Sequence, residues 1–337
     1  MLYADLIATN GRLITLDSRR PRAAALAVRD GKFVAIGADS DILPLAGPET
    51  RRVDFGGKTV VPGFIDAHIH LAALGKTILC QADLHGVSDI DELLGRLADH
   101  AAHSDREWIE GRGFDQEFLA GHHWPTRADL DRVSTTCPIM ITRICGHAVV
   151  ANSTALARIH PSARAAGDEV TGRYTEESIG AFYHHIPGLS EAEMEEGIRR
   201  ASCILLRTGI TAVGTLLDEG VHGVQMGAYG RLHRRGSLPI RVTAMPPERT
   251  VSVLHENGIA TGLGDDWLRY GGAKFFSDGS LGARTALLTE SYADEDRPDN
   301  RGIRIYDPGI LKARARDVHE KGFQIVIHAI GDQAVRE

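Results

Sequence analysis

Short apolar–polar alternations open the chain, and longer apolar runs separated by helix-periodic stretches follow. Leu6–Thr9 and Arg12–Thr15 flank Asn10-Gly11, and Ala25–Val28 and Lys32–Ile36 flank Asp30-Gly31. Each set predicts a hairpin with a type I′ turn. Arg52–Asp54 and Thr59–Val60 flank Gly56-Gly57, so residues 1–60 read as a small β domain.

From residue 61 to 337 the period changes. Ser88 with Asp91 predicts a capped helix with Ile90, Leu93, Leu94 and Leu97 on one face. Ser190 with Glu193 predicts another, with Met194, Ile198, Ala201 and Leu205 inward and Gly209 as its stop. Asp307 opens a further helix that Gly322 closes. Strands are expected near 61–67, 210–216, 239–245, 268–276 and 323–328. Strands alternating with helices imply an α/β fold with parallel pairing. The polar candidates end these strands, where a (β/α)8 TIM barrel carries its active site. Residues from about 75 to 190 form an insertion, with strand-like runs at 108–115 and 138–147 and a loop-rich stretch between Pro161 and Pro187. Five strands do not close an eight-stranded barrel, so the expectation is a partial barrel and a shortened chain. A complete five-stranded α/β sheet is the alternative.

Composition narrows the function. The chain has 337 residues, 43% hydrophobic and 25% charged, with a formal net charge of −7. That is an ordinary globular balance, and no basic stripe offers a nucleic-acid footprint. Cys80, Cys137, Cys145 and Cys203 include no C-x-x-C pair, which fits a reducing compartment, and the N-terminus lacks a signal-peptide pattern. A cytoplasmic protein without a membrane span is expected. Serine-hydrolase elbow, P-loop and dinucleotide-binding motifs are missing from the sequence.

The chemistry-bearing stretch is Val60–His70. On a strand, Asp66, His68 and His70 share one face. Two imidazoles on a rigid backbone form half of a divalent-metal site, against the plainer reading of two surface histidines. Asp66 either orients a ligand imidazole or serves the strand end. Lys274 sits among strand-forming residues. An ammonium cannot bind a cation, but a lysine that takes up CO₂ becomes an anionic carbamate able to bridge two metals, and burial favours that reaction. The plain alternative leaves its head in water. His328 ends a strand, and Asp332 reads first as a helix N-cap.

Pro62–His70, Trp108–Asp115, Pro138–His147 followed by Asn152-Ser153-x-Ala155-Leu156, Asp278–Gly282 and His328–Asp332 together resemble the amidohydrolase superfamily. The nearest likeness is to amidohydrolase family 3, the YtcJ-like branch that includes N-substituted formamide deformylase. The resemblance implies an N-terminal β-sandwich portion and an amidohydrolase-type barrel. It implies a divalent metal, zinc first, as one or two ions held by His68, His70, Lys274 and His328. Lys274, carbamylated, and His328 carry the catalytic role. Asp115, Arg143, His147 and Asp278 are candidate pocket residues. The implied reaction is metal-assisted hydrolysis of a non-peptide C–N bond in a small amide or formamide. Family members add a histidine on strand six and an aspartate on strand eight, and this sequence has no match for either. A non-catalytic metal-binding or scaffold remnant is the competing reading. Substrate identity and oligomeric state, a homo-oligomer included, stay open.

Overall fold

Asp30 and Gly31 both take left-handed backbone, with φ of 51° and 71°. They join Ala25–Arg29 to Lys32–Gly37 in antiparallel register, Leu26 opposite Ile36, so this hairpin forms as expected. The first expected hairpin does not form. In the computed structural model, which describes residues 3–218, 221–293 and 299–337, Ala4–Thr9 pairs antiparallel with Ala25–Arg29 and parallel with Ala46–Asp54. Arg12–Ile14 instead joins a second sheet with Arg22–Ala23 and Thr59–Val60. Asn10 is left-handed at φ 57°, but Gly11 is not, and a type I′ turn needs both. Longer-range partners win: the Gly11 N–H is donated to the Ala24 carbonyl at 2.8 Å, and the Asn10 carbonyl accepts the Gly57 N–H at 2.7 Å. Ile7, Ala27 and Ile42 form the core of this first unit, which ends at Phe64.

The second unit runs from Ile65 to the last residue. Its central strands are β1 (Phe64–Ile69), β2 (Ile210–Leu216), β3 (Arg241–Met245), β4 (Leu268–Tyr270), β5 (Ala273–Phe276) and β6 (Ile325–His328). β1, β2, β3 and β4 are neighbours in that order. β2–β3, β3–β4 and β5–β6 are parallel. The stretch 268–276 is two strands rather than one. A Cβ on Gly271 would fall 2.8 Å from Thr243 Cγ2 and one on Gly272 2.7 Å from Val326 Cγ2, so the backbone steps across at this glycine pair. The Lys274 N–H is donated to the Pro246 carbonyl at 2.8 Å, which keeps β5 beside the end of β3. Among the described residues nothing pairs with the outer edges of β1 and β6. The described residues therefore leave the sheet open and do not close a barrel.

Helices α1 (Leu71–Cys80), α2 (Glu191–Arg207) and α3 (His222–Arg234) bury Leu71, Met194, Ile198, Ala201, Leu205, Ala228 and Tyr229 against Val213 and Val242 of the strands. The Ser190–Glu193 capping box starts α2 as expected, and Gly209 follows it at φ 85°. α1 and α2 cross at Gly75 and Gly197, where an added Cβ on Gly75 would lie 2.4 Å from the Gly197 carbonyl carbon.

The insertion is more ordered than its sequence suggests. It builds its own sheet in the order Arg173–Thr175, Ala148–Ala151, Ile139–Arg143, Ile109–Phe114, Gln81–Asp83. Leu93, Leu94 and Leu97 of helix Ile90–Ala102 cover one side with Phe114 and Leu130. Trp108, Tyr174 and Phe182 anchor a second core, which orders most of the stretch read as loop-rich. That helix is capped by Asp89, whose carboxylate accepts the Glu92 N–H, one residue later than the expected cap at Ser88. The Ser88 N–H is donated to Glu92 Oε2 at 2.9 Å instead.

Candidate metal centre

β1 delivers His68 and His70 to one strand end. Their ring centroids are 6.2 Å apart and the planes are tilted by 45°. Burial holds the His68 pKa below its usual value, and the neighbouring Lys274, His70 and His328 push the same way, with Asp66 opposing them. The four predicted metal residues are thus electrostatic neighbours although they come from three separate strands. Asp66 serves its own strand: its Oδ1 accepts the His68 backbone N–H at 3.1 Å.

Lys274 on β5 is 4% exposed. Burial lowers its pKa, and its Nζ lies 4.8 Å from the centre of the Phe276 ring. Among the described residues no carboxylate comes within ion-pair distance of this ammonium. A buried cation with no counter-ion favours the neutral amine, the form that reacts with CO₂.

His328 ends β6. Its Nε2 donates to the Gly279 carbonyl at 2.8 Å, a contact that needs a proton on Nε2 and leaves the Nδ1 lone pair as the ring's donor to a metal. Asp278 is 1% exposed. Its carboxylate accepts the backbone N–H groups of Leu287 at 2.9 Å, Ile330 at 3.1 Å and Gly331 at 2.8 Å, so it faces inward and ties three loops together. Asp332 is the first helical residue and Gly331 the N-cap, where the sequence placed the cap at Asp332. Its carboxylate instead takes the Thr289 N–H at 3.0 Å and hydroxyl at 2.6 Å.

The insertion brings Asp115 and Arg143 together as a largely buried pair at 2.7 Å, and Arg143 Nε also donates to Gln116 Oε1 at 2.7 Å. A Cβ on Gly282 would lie 3.1 Å from Arg143 Nη1, so this pair stands beside the loop that follows β5. His147 is partly exposed on the same turn, its backbone N–H 3.5 Å from Cys145 Sγ.

Four residues near the site escaped the sequence reading. Asp218, just beyond β2, accepts from His70 Nδ1 at 3.0 Å. Gln225 of α3 grips Asp218 through two hydrogen bonds. Arg112 lies against the Gly146 turn, and among the described residues its guanidinium has no hydrogen-bond or ion-pair partner. Tyr183 keeps 48% of its surface open, yet burial raises its phenol pKa, with Arg112, Glu110 and Asp218 as charged neighbours. Only Asp218 left a sequence signal, as a carboxylate immediately after an apolar strand.

The nitrogen donors of His68, His70 and His328 and a carbamate-competent Lys274 fit a zinc-type divalent ion. Among the described residues no three His, Cys, Asp or Glu side chains already converge on one ion-sized position. A cavity of about 510 Å³ lined by Glu248, Tyr306 and Arg314 involves none of these residues. No helix among the described residues is long and apolar enough to cross a membrane.

The Arabidopsis thaliana protein LONG AFTER FAR-RED 3 is 32% identical over 99% of this chain and 60% of its own length. N-substituted formamide deformylase of Arthrobacter pascens is 32% identical over 45% of this chain and 28% of its own length. The crystal structure of an uncharacterized metal-dependent hydrolase from Pyrococcus horikoshii OT3 superposes with a TM-score of 0.78 at 31% identity, covering 98% of this chain and 66% of that one. The chain thus spans about three fifths of the Arabidopsis relative and about two thirds of the Pyrococcus structure. The family model described as amidohydrolase family matches residues 51–337, and the chain belongs to that family.

Proposed function

We propose that this chain carries the metal-binding half of a hydrolase that acts on a non-peptide C–N bond, an amide or formamide. The observation that carries the reading is Lys274: a lysine within strand β5, 4% exposed, without a counter-ion among the described residues and electrostatically coupled to His68. The Pyrococcus neighbour is described as a metal-dependent hydrolase and the Arthrobacter relative as a formamide deformylase, and both descriptions support it.

A divalent ion held by His68, His70, Lys274 and His328 supplies Lewis-acid activation of water and of a carbonyl. The chain's own residues do the rest. His70 and His328 are fixed by hydrogen bonds on one ring nitrogen each, which leaves the other nitrogen as a lone-pair donor. Asp278 holds the loop at 330–331 directly behind His328. The Asp115–Arg143 pair, beside the loop that follows β5, and Tyr183, with Asp218 among its charged neighbours, are the candidate contacts for a small polar substrate.

The test is metal content together with hydrolysis of simple N-formyl and N-acyl amines. Bound zinc with turnover, both lost in His68→Ala, supports the reading. The competing reading is metal binding without catalysis. Stoichiometric zinc with no turnover on any of these amides would select it.

A further inference from the structure

The two residues that hold the His70 segment in place come from β2 and its exit, Thr215 at 144 positions from Leu71 and Asp218 at 148 positions from His70. Thr215 on β2 is fully buried, and its Oγ1 accepts the Leu71 N–H at 3.1 Å, which fixes the backbone immediately after His70. Asp218 Oδ1 then meets the imidazole at Nδ1, 3.0 Å away. Asp218 is itself clamped. Gln225 of α3, 2% exposed, accepts the Asp218 N–H on Oε1 at 2.8 Å and donates from Nε2 to Asp218 Oδ2 at 2.7 Å. Both carboxylate oxygens are engaged, so the group cannot rotate without breaking a buried bond.

An ionised carboxylate only accepts hydrogen bonds. The His70–Asp218 contact therefore puts the proton on Nδ1 and leaves a lone pair on Nε2. We propose that Asp218, locked by Gln225, is a positioning residue that sets the tautomer and ring direction of His70 and so presents Nε2 to a divalent metal. The proposal rests on the reading of His70 as a metal ligand. Carboxylate partners behind metal-binding histidines act in this way in general.

The rival explanation is an incidental surface ion pair, since the two side chains are 46% and 34% exposed. A short-range His–Asp contact elsewhere in the molecule shows what that looks like. His85 and Asp83 are two residues apart, 53% and 77% exposed. The carboxylate there meets only the ring and backbone of His85. Among the described residues no buried amide clamps the carboxylate there. A short-range pair of that kind is worth little, and it gives no reason to bury a glutamine behind the carboxylate.

The experiment compares wild type, Asp218→Ala, Gln225→Ala and the surface control Asp83→Ala, all confirmed folded by circular dichroism. Long-range ¹H–¹⁵N spectra of the metal-free proteins report the His70 tautomer. Zinc affinity is measured against a competing chelator. Wild type is expected to show a protonated Nδ1. Asp218→Ala is expected to shift toward the Nε2–H form and to bind zinc roughly 10- to 100-fold more weakly. Gln225→Ala should move both readouts in the same direction by less, and Asp83→Ala should move neither. An Asp218→Ala protein with the wild-type tautomer and zinc affinity within about twofold overturns the proposal. If wild type takes up no zinc, the metal-ligand reading of His70 fails, and the tautomer measured without metal still decides whether Asp218 positions the ring.

Discussion

The Nζ of Lys274 lies 4.8 Å from the centre of the Phe276 ring, two residues along the same strand. The ring face offers a cation–π contact to a buried ammonium that has no carboxylate partner among the described residues. A cation in that setting costs stability, because desolvation is not offset by an ion pair. In metal-free protein, Lys274→Met is therefore expected to unfold at the same temperature as wild type or higher. Its zinc affinity is expected to fall at least about tenfold, since a required ligand is gone. Calorimetry with and without zinc checks both. A lower midpoint without metal and unchanged zinc binding would show that Lys274 is a structural residue only.

Gly75 and Gly197 predict an inverted helix-propensity effect. In a helix interior Gly→Ala normally stabilises by about 1 kcal/mol. At Gly75 the new methyl would lie 2.4 Å from the Gly197 carbonyl carbon, which is backbone and cannot turn aside. Gly75→Ala is expected to destabilise by about 1–3 kcal/mol as an overpacked contact. Because α1 begins directly after His70, the same variant should also weaken zinc binding. Urea titration and a zinc competition assay measure the two effects.

Acid sensitivity should appear at the start of α2. Hydrogen bonds from the Ser190 side chain and backbone, with Arg106 nearby, hold Glu193 below the ordinary value of 4.5. A carboxylate depressed in the folded state contributes stability above its unfolded pKa and loses it as pH falls through the folded one. Wild type minus Glu193→Gln should therefore be a constant positive difference above about pH 5 that vanishes in stronger acid. A difference that grows as pH falls would contradict the assignment.

Much of this was legible in the sequence, for reasons specific to each element. The α2 face of Met194, Ile198, Ala201 and Leu205 was readable because a helix buries residues at a fixed period and its capping box is local. The Asp30-Gly31 hairpin was readable because the turn residues alone set its backbone. Asn10-Gly11 looked the same and failed, because Ala24 and Gly57, distant in sequence, took the hydrogen bonds a hairpin would have used. The insertion's sheet was under-read because strands such as Ala148–Ala151 and Arg173–Thr175 are four and three residues long, too short for a period. At the site, His68 and His70 stood out as a pair on one strand. The inward-turned Asp278 and the Asp218–Gln225 clamp depend on where separate loops meet, which no local pattern encodes.

Asp278 supports a prediction of its own. Its buried carboxylate accepts three backbone N–H groups, one from the loop at Leu287 and two from the loop at Ile330–Gly331. Asp278→Ala would leave those donors unsatisfied, and each buried orphan costs roughly 1–3 kcal/mol. A loss of at least about 3 kcal/mol is expected, with faster hydrogen exchange at Leu287, Ile330 and Gly331. A variant of wild-type stability with normal protection at those three amides would instead return Asp278 to the list of pocket residues.

The most direct test of the metal centre is an anomalous-difference map at the zinc edge from crystals of the zinc-loaded protein. A peak within bonding distance of His68, His70, His328 and the Lys274 side chain, about 2.0–2.2 Å from each coordinating nitrogen or oxygen, is the expected result. Zinc bound elsewhere, or no peak between these four side chains at saturating zinc, would contradict the assignment.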